Sequence, residues 1–277
     1  MNKTIFGIII IMCALAVYSC APRANRNTKV PEAQKVEVKP EPKPVPPPPP
    51  APKPVPAVVS LNSLSAKEKA AGWNLIFDGA STDGWHAYGS RTIGTAWKVA
   101  NGAIWLDNKN DGQPKSGGDI ITDKEYSNFE VQIDWRISKA GNSGICIFIL
   151  ENKDKYKYMW GTGPEIQIVD NAGHPDGKIF KHQAGDLYDL IPAKSHAENP
   201  PLEWNHYLIR CVNGKLDVYL NEVLVVSTTM WNDSWKALIA NSKFKGSSDF
   251  GTYKKGHIGL QDHGDDVWFR NIKIREL

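Results

Sequence analysis

Phe129-Glu-Val-Gln-Ile-Asp-Trp-Arg-Ile137 alternates apolar and polar side chains along its whole length. A period of two sends successive side chains to opposite faces, so this stretch reads as a β-strand covered on one face. The same signal recurs on either side. Ile145-Cys-Ile-Phe-Ile149 is a short apolar run, and Val267-Trp-Phe-Arg-Asn-Ile-Lys-Ile274 alternates again near the C-terminus. Asn101-Gly102 and Asn213-Gly214 sit between strand-like runs and favour type I′ hairpin turns. With a further turn at Asn221-Glu222, Tyr207 to Thr229 reads as a three-strand meander. Only residues 233–243, with Trp235, Leu238 and Ile239 at helical spacing, suggest a helix. Many short antiparallel strands and one short helix predict an all-β fold, a two-sheet sandwich or jelly roll. Most tryptophans are expected in its core, Trp135 and Trp268 in particular.

The chain of 277 residues divides by composition. Twelve of its 19 prolines lie between Pro31 and Pro56, whereas all ten tryptophans lie at or beyond Trp73. Residues 21–60 carry a net charge of +4 and residues 61–277 a net charge of −2. A slightly acidic body has no electrostatic footprint for nucleic acid, and that partner class is set aside.

Met1-Asn-Lys-Thr precedes the apolar run Ile5 to Val17 and then Tyr18-Ser19-Cys20. One early positive charge and a short apolar stretch make a signal peptide, residues 1–19, too short to span a bilayer. Val17-Tyr18-Ser19-Cys20 resembles a lipobox, with Tyr18 bulkier than the usual occupant. The resemblance implies cleavage before Cys20, lipidation of its thiol and a membrane anchor; plain secretion is the alternative. Residues 20–60 then form a Pro-rich linker, and five consecutive prolines, Pro46 to Pro50, favour an extended helix. No acidic run follows Cys20, which favours an outer-membrane lipoprotein facing the periplasm. Cys146 and Cys211 remain in the body, within apolar runs, where two buried thiols are the default over a bridge.

The stretch richest in chemistry is Gly163-Pro-Glu-Ile-Gln-Ile-Val-Asp-Asn-Ala-Gly-His174. His182, Gly185-Asp-Leu-Tyr-Asp-Leu-Ile191 and Gly259-Leu-Gln-Asp-His-Gly264 follow it, and Gly141-Asn-Ser-Gly144 precedes it. Together with Gly72-Trp-Asn-Leu-Ile-Phe-Asp-Gly79 and Asp83-Gly-Trp85, these segments resemble the 3-keto-disaccharide hydrolase domain family, over about residues 73–277. The resemblance implies a concanavalin-A-like jelly roll, residues 61–277, whose concave sheet binds a carbohydrate already oxidised to a ketone at C3. Such a ketone acidifies the C2 hydrogen, so a base can remove it and the C1 substituent leaves by β-elimination. Hydration of the enone completes a net hydrolysis. The site needs a base, donors for the enolate oxygen and an acid for the departing oxygen.

Residue chemistry and position in these motifs nominate Glu165 and His263 for the proton transfers, with Asp262 as orienter or alternative. A carboxylate on a covered concave face has a raised pKa, as a base working near neutrality requires. Asn142, Gln167, His182, Tyr188, Asp189 and Gln261 are candidates for sugar or enolate contacts, and Trp160 for a stacking face. Plainer roles stand beside these: a solvent-facing Glu165, a turn-capping His263, and Asx turns at Asp186 and Asp189. No cofactor is required by this chemistry. His174, His182, His257 and His263 lack a close metal-binding pairing, and a divalent cation such as Ca²⁺ is left open.

Two other functions remain in view. Glu165, Gln167 and Asp170 stand at the spacing of the Glu-x-Asp-x-x-Glu strand of jelly-roll endoglucanases, which use two carboxylates. Here Gln167 lacks the middle charge and Asp170 is shorter, which counts against that chemistry. A non-catalytic glycan-binding lipoprotein is the other alternative, since a Trp-rich sandwich on a stalk suits saccharide capture.

Overall fold

The computed structural model describes residues 60–107 and 117–277. The signal peptide, Cys20 and the Pro-rich segment to Pro56 lie outside the described residues.

The strands in chain order are β1 (Asn74–Leu75), β2 (Trp85–Ala87), β3 (Trp97–Ala100), β4 (Ala103–Leu106), β5 (Ile120–Thr122), β6 (Phe129–Ile137) and β7 (Asn142–Ile149). Then follow β8 (Glu165–Val169), β9 (Asn205–Val212), β10 (Lys215–Leu220), β11 (Val223–Thr229), β12 (His257–Leu260) and β13 (Val267–Glu276). They form two antiparallel sheets. One has the order β11-β10-β9-β6-β13-β4-β3, with β1 also paired to β13; the other runs β2-β5-β12-β7-β8. The all-β jelly-roll expectation is met.

The decisive stretch is β6, at the centre of the larger sheet between β9 and β13. Phe129, Val131, Ile133, Trp135 and Ile137 are buried, while Gln132, Asp134 and Arg136 face partly outward. The buried set meets β7 and β8 of the second sheet: the Phe129 and Phe148 rings lie 5.6 Å apart, and Ile145, Ile147, Ile166 and Ile168 are fully buried. Each such side chain contributes about 1.5–3 kcal/mol by leaving water. The turns follow the residues that favour them. Asn101 and Gly102 have φ of 52° and 71°, and Asn213 and Gly214 have 49° and 80°, the left-handed pair a type I′ turn requires. The meander appears as β9-β10-β11. Cys146 and Cys211 are free and buried, and burial pushes the Cys211 thiol up to about 12 and Cys146 well above its ordinary value. Neither is a nucleophile.

Three expectations need correction. The helix expected over 233–243 is α2 (Asp233–Ala240), opened by Asn232, whose side chain accepts the Trp235 N–H. It ends early, and Lys243 lies beyond it. A single-turn helix, α1 (Ala66–Ala70), precedes β1; its signal, the capping box Ser65-x-x-Glu68, is present in the sequence. Trp268 is not core. Val267 and Phe269 take the buried face of β13, so alternation turns Trp268 outward, where it stacks on Trp105 at 5.9 Å. The Arg136 guanidinium lies 4.3 Å above its ring.

Candidate active site

β8 forms the end of the smaller sheet, pairing with β7 so that Cys146 faces Glu165 and Gly144 faces Gln167. Its other edge is covered by residues 185–188, through the Gln167 N–H to the Asp186 carbonyl, the Gly185 N–H to the Gln167 carbonyl and the Tyr188 N–H to the Glu165 carbonyl. A covered edge cannot pair with another chain. With Ile166 and Ile168 in the core, Glu165 and Gln167 point to the outer face, as alternation dictates. That face is closed over into a cavity of about 130 Å³, lined by Asn142, Trp160, Glu165, Gln167, Asp176, Tyr188, Lys243, Phe244, Gln261 and His263.

Glu165 is only 7% exposed, which overturns the plain reading of it as a solvent-facing strand residue. Gly144 makes room for it: a Cβ there would lie 2.1 Å from Glu165 Oε1. Burial raises the Glu165 pKa to about 8; the Lys243 charge and a hydrogen bond from Gln261 pull it down, and Asp119 and Asp176 push it up. Asp119, which acts on Glu165 through its charge, is itself raised to about 6, first by burial.

Lys243 is the cation of the site. Its Nζ lies 3.9 Å from the centre of the Tyr188 ring and 5.7 Å from that of Trp160. Burial lowers its pKa, opposed by Glu165, Asp189 and Asp176. Asp189 positions it: Oδ2 accepts the Lys243 backbone N–H at 2.5 Å, and Oδ1 faces His182 Nε2 at 3.3 Å. The His182 ring in turn stacks on Tyr188 at 4.1 Å. Asp176 accepts from Asn142 Nδ2 at 3.2 Å and from the Tyr188 hydroxyl at 3.4 Å. Trp160 stacks on the exposed Tyr158 at 4.9 Å, giving the cavity an aromatic rim.

Seven of the residues nominated from sequence thus line one cavity: Asn142, Trp160, Glu165, Gln167, Tyr188, Gln261 and His263. Three stand behind it. His182 and Asp189 support Tyr188 and Lys243. Asp262 makes clasping backbone contacts: Oδ2 accepts the Gly118 N–H at 2.6 Å and Oδ1 the Gly264 N–H at 2.9 Å. Its own N–H bonds Asp119 Oδ1, so it tethers the turn that carries His263 to the start of β5. Asp186 makes turn contacts, its carboxylate accepting from the Gln183 and Ala193 N–H groups.

Sequence reasoning missed Asp176, Lys243 and Phe244. Asp176 sits in the 3₁₀ turn Asp176–Lys178, and Lys243 and Phe244 follow α2. None carries a local pattern that marks a site. The spacing-based partner Asp170 is elsewhere: its carboxylate accepts the Ala140 and Ala172 N–H groups, and it is not among the cavity-lining residues.

At the rim, His174, His263 and Asp265 bring potential ligand atoms within 4.8 Å of one another. The chemistry fits a metal poorly. His174 Nδ1 accepts the Asp176 N–H at 3.0 Å, which leaves the ring proton on Nε2, and Asp265 Oδ2 already accepts the Asn142 N–H.

Comparison with known proteins agrees with this architecture. A curated protein of Bacteroides thetaiotaomicron named 3-keto-disaccharide hydrolase is 35% identical over 239 residues, covering 78% of this chain and 82% of that one. Two crystal structures of proteins from Parabacteroides distasonis, each described as a candidate glycosyl hydrolase, superpose on the fold. One has a TM-score of 0.72 at 32% identity and covers 79% of this chain and all of the other. The second has a TM-score of 0.56 at 27% identity, covering 74% and 99%. Residues 72–275 match the profile of a family described as the 3-keto-alpha-glucoside-1,2-lyase-like domain, and the chain belongs to that family.

Proposed function

We propose that this protein is a carbohydrate-cleaving enzyme that acts on 3-keto glycosides by β-elimination and hydration. The observation that carries the reading is a buried carboxyl with a raised pKa beside a single ammonium group in a small polar cavity. An ordinary glycoside offers no acidic C–H, whereas a C3 ketone does, and its enolate needs a nearby cation.

Glu165 as carboxylate takes the C2 proton, and the electron pair moves onto the C3 oxygen. Lys243 faces that developing oxyanion from a desolvated position, where the charge is worth most. Collapse of the enolate expels the C1 oxygen substituent, which takes a proton from His263 at the cavity mouth. Water then adds to the enone: its hydroxyl goes to C1 and its proton to His263, while Glu165 returns its proton to C2, so the sum is hydrolysis and both groups are restored. Trp160 and Tyr158 offer an aromatic rim to the departing group.

Asp176 gives one reason to keep a second reading, because it supplies another carboxylate in the cavity and a two-carboxylate glycosidase needs a pair. The test is leaving-group release by residues 61–277 from an aryl glucoside and from its 3-keto counterpart, with Glu165→Gln alongside. Release from the keto substrate alone, lost in the variant, is the expected result. Release from the unoxidised glycoside refutes elimination and supports the carboxylate pair. Glycan binding without release from either leaves a capture module.

We also propose that Cys20 is lipidated and the Pro-rich segment spaces the enzyme from the membrane, with the body facing the periplasm.

A further inference from the structure

The outer face of the larger sheet carries a second cleft, with the sandwich core between it and the catalytic cavity. Its floor is made of small residues: Ala100 and Ala103 pair across β3 and β4, where the next pair on that face is Lys98 and Trp105. Trp105 pairs in turn with Trp268, and Trp268 with Arg136, so the three stand in one row across β4, β13 and β6. Arg270, two residues further along β13, and Trp204 close the hollow, which measures about 340 Å³. Built ligand sites occupy roughly 300–1,000 Å³, so the cleft is large enough to be one.

Its side chains form a ladder of cations and indoles. Arg136 Cζ lies 4.3 Å from the centre of the Trp268 ring and 5.0 Å from that of Trp204, and Arg270 Cζ lies 3.9 Å from Trp204. Stacking uses the faces of a guanidinium and leaves its in-plane N–H groups for an acceptor. The protein supplies few. Arg270 has a share of Asp134, at 3.5 Å, but that carboxylate also accepts from His206 at 2.8 Å and from Asn271 at 2.6 Å. Arg136 has no carboxylate partner among the described residues, and burial, then the like charge of Arg270, lowers its pKa. Lys98, by contrast, is paired with Asp107. The Trp204 and Trp268 indole N–H groups donate to no protein group among the described residues, and both rings are only partly buried. The cleft thus gathers donors and positive charge without matching acceptors, on a body whose net charge is −2.

We propose that this cleft binds an acidic glycan, a uronate carboxylate seated on Arg136 and Arg270 with the indole N–H groups bonding neighbouring sugar oxygens. A guanidinium fork and a carboxylate match in one plane, two N–H groups to two oxygens. Each indole presents an apolar body and a single donor, which suits a sugar ring with apolar C–H groups and a rim of oxygens. A phospholipid headgroup needs only a flat cationic surface, whereas the recessed floor at Ala100 and Ala103, walled by indoles, fits a ring. The site is independent of the 3-keto chemistry. It holds the protein on an acidic polysaccharide with the catalytic cavity on the opposite face, open to substrate.

The experiment titrates the full chain carrying Cys20→Ala, so that no lipid anchor contributes, with tetragalacturonic acid, its full methyl ester, and vesicles of phosphatidylglycerol in phosphatidylcholine. Indole N–H signals in a nitrogen–proton correlation spectrum locate the binding, with single Trp→Phe variants assigning those of Trp160, Trp204 and Trp268. The acid should shift the Trp204 and Trp268 signals and leave that of Trp160, in the catalytic cavity, in place. The ester should bind about tenfold more weakly or worse, having lost the charge-assisted hydrogen bonds. Arg136→Gln should lower affinity for the acid by about tenfold or more, and Arg136→Lys, which keeps the charge and loses the fork, should fall between. Should the arginine variants fail to fold, the acid and ester on the chain with Arg136 intact still decide. Equal binding of acid and ester, shifts confined to Trp160, or acid binding unchanged in Arg136→Gln each overturn the assignment. Vesicle binding without binding of the acid overturns it in favour of a lipid phosphate. Binding of neither leaves the ladder a structural feature of the sheet and overturns the site.

Discussion

Replacing Glu165 with Gln should stabilise the protein, increasingly so as pH rises. The folded carboxyl titrates near 8 against an ordinary value of 4.5, because burial penalises its charged form. Between those values the folded state keeps a proton that the unfolded state has released, so stability falls with rising pH. The slope is about 1.4 kcal/mol per pH unit, which amounts to about 3 kcal/mol by pH 7 and about 5 kcal/mol above pH 9. Glutamine is nearly isosteric with the protonated acid and carries no such penalty. Asp119, raised to about 6, is present in both proteins and largely drops out of the difference. Urea denaturation of the two proteins at intervals from pH 4.5 to 9.5 reads this directly. They should be nearly equal at the acid end, with the variant ahead by several kcal/mol at the alkaline end. The wild-type kcat/KM should rise through about pH 8 as the base ionises. A stability difference independent of pH, or a wild type favoured at high pH, would refute the reasoning. Lys243 would then hold Glu165 as an anion in the resting protein.

Gly144→Ala places a methyl group against the Glu165 carboxylate, and its backbone needs no left-handed conformation. It should cost 100-fold or more in kcat while far-ultraviolet circular dichroism stays unchanged. Lys243→Met removes the enolate's counter-charge and should lower kcat by about 10²–10³ with little change in KM, measured over 3-keto substrate concentrations that bracket KM. Overnight dialysis against a chelator should leave kcat unaltered, because His174 Nδ1 is already taken by the Asp176 N–H; loss of activity restored by one divalent ion would contradict this. Cys20→Ala should move the protein from the membrane pellet to the soluble fraction on cell fractionation.

The sequence alone carried the strands because alternation is local. Phe129 to Ile137 can bury only one face, and Asn-Gly pairs adopt positive φ readily, so β6 and the hairpins follow from neighbouring residues. The same locality placed Glu165 and Gln167 on one face and Ile166 and Ile168 on the other. The motifs around Asn142, Gln261 and His263 were also legible, since each lies in a Gly-flanked segment beside a strand.

Whether Glu165 meets water was not a local matter. Its burial depends on β7, on the residues 185–188 that cover the edge of β8, and on the turn after α2, which come from distant parts of the chain. Lys243 could not be found by pattern, because its place in the cavity follows from where α2 stops and from the Asp189 carboxylate that holds its backbone. Asp262 looked like an acid beside His263, yet both its oxygens are taken by backbone N–H groups, one of them more than a hundred residues away in sequence. Local periodicity therefore determined the sheets and the direction of each strand side chain. Desolvation and charge pairing depend on everything packed around a group, so only the tertiary structure decided which polar side chains are buried together and able to do chemistry.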